Sequence, residues 1–372
     1  MGAGGRADGE RCVPQGAGVV GAPGRPAEDK GPVAGIAPDA KGGTVAAVAG
    51  NGTVAAAAGV GPSSPCAEEP ELAPPPVHVP RPYARPRARL AARVDVPTPD
   101  GARIATWVYA PEDAGPATAA DPAADLAADL AALVGDPACP PVLVLHGNGE
   151  EHGIFGPVID AVTASGRAVV AVDSRAQGAS TRGAVPLSYE LMAADAACAL
   201  DAVGAPRAHV LGFSDGAILG LLLARDRPAR VLTLTALGAN LTPEGLAPED
   251  LEAMAAAAAA NRAWAEGGRE GVLLEDGTPI PSPAEAAQIA ELLELMVHEP
   301  QIEAASLGAI GCPTTVMAGE LDDILPDETT RIAAAIPGAR LVIVPGADHS
   351  LPKVAPEAVA RELLATIAQR PR

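Results

Sequence analysis

From Pro141 onward the chain alternates short runs of apolar and β-branched residues with longer stretches whose apolar residues recur every three or four positions. The runs are Val142–Leu145, Ala168–Val172, Val210-Leu211, Val231–Leu234, Thr314–Met317 and Leu341–Val344. Runs rich in β-branched residues and spaced by helical stretches predict parallel strands buried on both faces. Upstream, Arg93–Val96 and Ile104–Tyr109 read as two strands joined around Asp100-Gly101, a strong hairpin signal. Between the fourth and fifth runs lies a detour, about residues 240–307. It carries an Ala-rich helix over Leu251–Trp264 and another over Ala284–Val297, with Ile289, Leu292, Leu293 and Met296 on one face. Helices inserted at the C-terminal edge of such a sheet form a lid over whatever sits there.

The rest of the chain lacks this periodicity. Residues 1–85 are Ala, Gly and Pro with scattered charges, and Pro74-Pro75-Pro76 and Pro80-Arg81-Pro82 favour extended backbone. They read as a disordered leader before a domain over 86–372. Within that domain 112–140 is an insertion in which Leu126, Leu130 and Leu133 share a helical face. Aromatic residues are only 2% against 48% apolar, so Ala, Val and Leu carry the packing and an aliphatic pocket is expected. The formal charge of −20, with three lysines, repels phosphate backbones and anionic membranes. A small-molecule substrate is the expected partner, with neither nucleic acid nor membrane, and oligomeric state is not legible. The five cysteines are odd in number and lack C-x-x-C spacing, so neither a zinc site nor a disulfide framework is expected. A reduced, cytoplasmic compartment follows by default. Thr44–Val60 is too weakly apolar to span a bilayer.

The candidate chemistry starts at Gly212-Phe213-Ser214-Asp215-Gly216, a G-x-S-x-G pattern between two apolar runs. With ten serines and 41 glycines in 372 residues, chance alone gives about 0.1 such matches, so context decides. A serine hydroxyl needs a base, and the base an orienting acid. Of six histidines, His349 follows a late strand, where α/β sheets place their sites, and is the expected base. The acid lies in Ala318–Ile324, again straight after a strand, with Asp322 and Asp323 both available. No acid stands close behind the Val231–Leu234 run, the main alternative position. Acyl transfer also needs N–H donors for an oxyanion. The backbone N–H of Asp215 and that of Asn148, in His146-Gly147-Asn148-Gly149, are the expected pair.

From Leu90 to the C-terminus these motifs resemble the α/β-hydrolase superfamily. The elbow, the H-G-x-x turn, the G-x-x-D acid loop and the G-x-D-H base loop stand in its order, Ser…Asp…His. The stretch Asp173–Ser180 resembles its D-x-R-G-x-G-x-S loop, with Ala176 where the family carries Gly. The resemblance implies an α/β-hydrolase fold: a mostly parallel central sheet, helices on both faces and a helical lid. It implies a Ser214–His349–Asp322 triad, with Asp322 fitting the acid position better than Asp323, and no cofactor or metal. A small ester, thioester or amide is the expected substrate. Carbon–carbon hydrolysis or peracid formation on the same triad, and a non-catalytic binder on the same fold, stay open. The serine excludes a nucleophilic-aspartate dehalogenase and an epoxide hydrolase. The elbow G-x-S-D-G is also similar to that of biphenyl-hydrolase-like enzymes that cleave amino-acid esters. Asp215 reads first as a helix N-terminal acid favoured by the macrodipole; the likeness implies, as the alternative, a site for a substrate ammonium. Glu150 and Glu151 carry the same ambiguity. Phe213 and Phe155 join Asp215 as expected substrate contacts.

Overall fold

A computed structural model describes residues 72–78, 80–111 and 124–369, together with the backbone of 18–20. Its strands are β1 (Gly18–Val20), β2 (Leu90–Pro97), β3 (Arg103–Tyr109), β4 (Val142–Leu145), β5 (Val169–Val172), β6 (Ala208–Phe213), β7 (Val231–Leu237), β8 (Thr314–Leu321) and β9 (Arg340–Asp348). They form one sheet in the order β1-β2-β3-β5-β4-β6-β7-β8-β9. The β1–β2, β2–β3 and β3–β5 pairs are antiparallel and the remainder parallel. Strands β4 and β5 are buried at every residue, as runs without polar alternation require.

The helices are α1 (Ala124–Val134), α2 (Gly156–Ala164), α3 (Tyr189–Ala202), α4 (Asp215–Asp226), α5 (Pro248–Gly267), α6 (Pro283–His298), α7 (Pro326–Ala335), α8 (Leu351–Val354) and α9 (Pro356–Ile367). The main core joins one sheet face to α1, α3, α4 and α7, through residues such as Leu130, Met192, Leu200, Leu221 and Ile332. The opposite face packs against α2 and α9 through Val158, Ile159, Val359 and Leu363. From β4 the chain steps to β5 on one side and then crosses to β6 on the other. Doubly wound sheets open a crevice at such a switch, beyond the strand C-termini.

The expected lid is present as α5 and α6, which pack around Met254, Ala258, Ile289 and Leu293. A capping box starts α6: the Ser282 side chain accepts from the Glu285 N–H, and the Glu285 carboxylate accepts from the Ser282 N–H. The structure departs from the sequence expectation in three places. Strands β6, β8 and β9 outrun their apolar runs: β6 continues through buried His209, Gly212 and Phe213, and the β8–β9 ladder continues to the exposed Leu321, paired with Asp348. Most of the leader lies outside the described residues, but 72–78 and 80–85 lie against the domain, and Gly18–Val20 pairs with Arg93–Asp95. Val77 packs on the Trp264–Ile280 cluster, Arg81 pairs with Asp348, and Tyr83 donates to Glu151. Specific side chains thus anchor a segment whose Pro content had suggested unpacked chain. Of the described cysteines, Cys139 and Cys312 are free, whereas Cys198 is disulfide-bonded despite the odd count. Among the described residues no helix is long and apolar enough to cross a membrane.

Candidate active site

Strand β6 runs directly into α4 through Ser214, which has φ 53° and ψ −119°. That left-handed conformation disfavours any residue with a Cβ, and holding it costs on the order of 1–3 kcal/mol. The flanking glycines allow it by close approach. A Cβ at Gly212 would lie 2.0 Å from the Gly216 carbonyl oxygen, and one at Gly216 would lie 2.0 Å from that of Leu145. The Ser214 N–H donates to the Leu237 carbonyl at 2.8 Å, fixing the turn to the end of β7.

His349 follows β9, and its Nε2 lies 3.1 Å from Ser214 Oγ. Its Nδ1 lies 2.7 Å from Asp322 Oδ1, just past β8. Asp322 also accepts the Gly319 and Ile324 N–H groups, both at 3.0 Å. An ionised carboxylate only accepts, so Nδ1 carries the proton and Nε2 offers its lone pair to the serine hydroxyl. Burial favours a neutral Asp322, but the charge of His349 and these hydrogen bonds hold its carboxyl below the ordinary range. Burial likewise works against charge on His349. The Asp322 carboxylate outweighs it, helped by Asp323 and Asp348, and the imidazole is raised to about 8. Asp323 makes no such bond to His349; it faces the cleft, and burial pushes it up to about 6.

The position behind β7 that carries no acid is Gly238, and it has a use the sequence did not disclose. Its φ is +58°, and a Cβ there would stand 2.8 Å from His349 Cε1. The imidazole occupies the space a side chain would fill.

The turn after β4 lies against the elbow. A Cβ on Gly147 would come within 3.0 Å of Ser214 Cβ and the Phe213 ring. The Gly149 N–H donates to Gln177 Oε1 at 2.6 Å, and that of Glu150 to the Gly147 carbonyl at 3.3 Å. His146 accepts the Ser174 N–H at Nε2 (2.8 Å) and donates from Nδ1 to the Gly147 carbonyl (2.7 Å). The Asn148 amide donates to Asp215 Oδ2 at 3.0 Å and to the Leu292 carbonyl of α6 at 3.3 Å. Asp215 is the first residue of α4, where helical N–H groups lack intrahelical acceptors. Its carboxylate is 2% exposed, and Oδ1 accepts the Tyr189 hydroxyl at 2.9 Å. Burial raises its pKa, against the Asn148 and Tyr189 hydrogen bonds.

A cleft opens above these groups. Leu246, Met254, Met296 and Ile324 give it the expected aliphatic character, but Glu150, Glu299 and Asp323 line it too. Phe213 faces it, its ring centroid 5.0 Å from that of His349. Phe155 does not, which corrects the expectation of a substrate contact: it is 0% exposed and packs beneath the site with Ile154 and Val158. Glu151 caps the short turn His152–Phe155 by accepting the Gly153 N–H at 3.0 Å, while Glu150 pairs with Lys353. Tyr189 and Glu299 also line the cleft, and no sequence motif marked either.

Supporting this floor is the Asp173–Ser180 loop, where Ala176 adopts φ 62° and keeps the left-handed backbone despite its Cβ. Glu151, His152 and Asp173 offer three potential metal-ligand atoms within 4.8 Å of one another. These groups already satisfy one another. His152 Nδ1 meets Asp173 at 2.8 Å and Nε2 meets the Tyr109 hydroxyl at 3.0 Å, while Glu151 accepts from Tyr83 and Gly153. The cluster ties the loop to β3 and to the arm before β2.

Comparison with known proteins agrees with this architecture. Rhodomycin D methylesterase DauP of Streptomyces sp. (strain C5) is 30% identical over 276 residues, 62% of this chain and 92% of that protein. The putative carbamate hydrolase RutD of Azorhizobium caulinodans is 28% identical over 244 residues, 60% of this chain and 89% of its own. Among solved structures, a hydrolase from Pseudomonas aeruginosa PA01 superposes with a TM-score of 0.54 at 23% identity, over 74% of this chain and 98% of that one. The enol-lactonase from Burkholderia xenovorans LB400 gives 0.54 at 16%, over 72% and 97%; at such identities the likeness is one of fold. Residues 142–362, from the first strand of the parallel core to the last helix, match the profile of the alpha/beta hydrolase family, and the chain is a member of that family.

Proposed function

We propose that this hydrolase cleaves a small carboxylic ester through an acyl-enzyme on Ser214. The observation that carries the reading is the continuous relay Ser214 Oγ–His349 Nε2 (3.1 Å) and His349 Nδ1–Asp322 (2.7 Å), opening on a cleft. Ser214 Oγ attacks the ester carbon while its proton passes to His349 Nε2, and Asp322 stabilises the imidazolium that forms. The N–H groups of Asn148 and Asp215 receive the oxyanion. When the tetrahedral adduct collapses, the C–O bond to the leaving group breaks and His349 returns the proton to the departing alkoxide. Water, deprotonated by His349, then attacks the acyl carbon and releases the acid and free Ser214. The methylesterase and the carbamate hydrolase among the relatives support an ester-type acyl substrate.

A fluorophosphonate probe tests the serine. The native chain should label at Ser214, and Ser214→Ala should lose both labelling and ester turnover with an unchanged melting temperature. Native-like labelling or turnover in that variant would end the proposal.

A further inference from the structure

We propose that Asp215 is a positioning residue: its buried carboxylate, held by Tyr189, anchors the Asn148 amide and so fixes the turn whose N–H receives the oxyanion. The inference rests on the esterase reading above.

A carboxylate next to the nucleophile is an unfavourable choice on simple electrostatics. It opposes the charge that develops on the substrate oxygen, and burial without a cation is expensive. Among the described residues no Lys or Arg pairs with Asp215. Two neutral donors hold it instead, one on each oxygen: Tyr189 Oη at 2.9 Å and Asn148 Nδ2 at 3.0 Å. Each donor comes from a different part of the fold, α3 for Tyr189 and the turn after β4 for Asn148. The carboxylate therefore joins three pieces of backbone around Ser214.

The turn needs such an anchor. Gly147 lies so close to Ser214 and Phe213 that there is no slack on that side. Gln177 secures the turn at the Gly149 N–H, but among the described residues the Asn148 segment between these two points is tethered by its own side chain alone. The amide's second hydrogen bond, to the Leu292 carbonyl, stops it from rotating away from Asp215. An oxyanion donor acts only if it is aimed before charge develops, and small misplacements are costly.

Three variants isolate this role, because each leaves the backbone N–H donors in place. Asn148→Ala removes the tether, Tyr189→Phe removes one of the holding donors, and Asp215→Asn leaves one acceptor where two are needed. On a neutral ester, Asn148→Ala and Asp215→Asn should each lower kcat about 10- to 100-fold, less than the loss expected when a donor itself is deleted. KM should stay within about twofold, since the interaction matters chiefly in the transition state. Tyr189→Phe, which keeps the ring packed, should show a smaller loss of the same kind. The Asn148→Ala/Asp215→Asn double variant should be no worse than the poorer single, as expected for one shared unit. Melting temperatures identify folded variants; if Asp215→Asn does not fold, Asn148→Ala and Tyr189→Phe decide alone.

Native kcat in Asn148→Ala and Tyr189→Phe, with Ser214→Ala inactive, would overturn the positioning role and leave the serine mechanism standing. A loss confined to ammonium-bearing esters, with neutral esters unaffected, would make Asp215 a substrate contact and equally overturn it. If Ser214→Ala remains active, the failure belongs to the esterase reading.

Discussion

At the scale of single residues, His349 governs the pH response. Its imidazole is raised to about 8, and only the neutral ring can take the Ser214 proton. We expect kcat/KM on a neutral ester to climb about tenfold per pH unit below that value and level off above it. A profile that stays flat from about pH 6 to about pH 9 would contradict His349 as base. The linked stability runs the other way. Because the folded pKa lies above the ordinary 6.5, the positive charge on His349 beside Asp322 contributes stability that is fully present below about 6.5 and is lost as pH rises through about 8. Gly238 gives a second residue-scale expectation. A Cβ there meets the imidazole at 2.8 Å on a backbone with φ +58°, so Gly238→Ala should lower kcat about 100-fold by displacing the base. Steady-state kinetics beside a melting curve would check it; native kcat would show that the ring has room to move. The sequence exposed Ser214, Asp322 and His349 because each sits in a short motif at a strand end. It could not expose Tyr189, whose bond to Asp215 depends on how α3 meets the elbow. Phe155 stands away from the cleft because its ring is buried among Ile154 and Val158, a placement no sequence motif marks.

At the scale of elements, the loop after β5 joins the sheet to its helices through one buried charge. The Arg175 side chain is fully buried; it makes two bonds to Asp195 of α3, both at 2.8 Å, and one to Asp100 of the β2–β3 turn at 2.7 Å. Removing one partner leaves a desolvated guanidinium only half satisfied. Asp195→Ala should therefore destabilise the fold by about 3–5 kcal/mol, read by denaturant unfolding, and a change below about 1 kcal/mol would refute that account. The lid docks on the same loop, through Gln288 to the Ala176 carbonyl and Arg182 to Glu291. Helix α6 is legible because Ile289, Leu292, Leu293 and Met296 keep a helical period, and α5 because its segment is rich in alanine. The short β1 is not. A three-residue strand that pairs only along one edge leaves no pattern to distinguish it from neighbouring chain.

For the whole molecule, the sheet order explains why four separate motifs converge. The turn after β4, Ser214 after β6, Asp322 after β8 and His349 after β9 all leave the same edge, and the switch between β5 and β6 opens the cleft among them. Apolar runs announce such strands individually, and their helical spacing announces parallel pairing. What they cannot announce is a contact between distant segments that share no period, and the arm before β2 is made of such contacts. Val77 touches the lid cluster around Trp264, and Arg81 reaches Asp348 across a sequence separation of 267 residues. These partners exist only after the lid has packed and the last strand has been added. Closing so long a loop early would be entropically unfavourable with nothing yet to reward it. The arm is therefore among the last parts of the chain to settle during folding, although it is made before the domain it fastens.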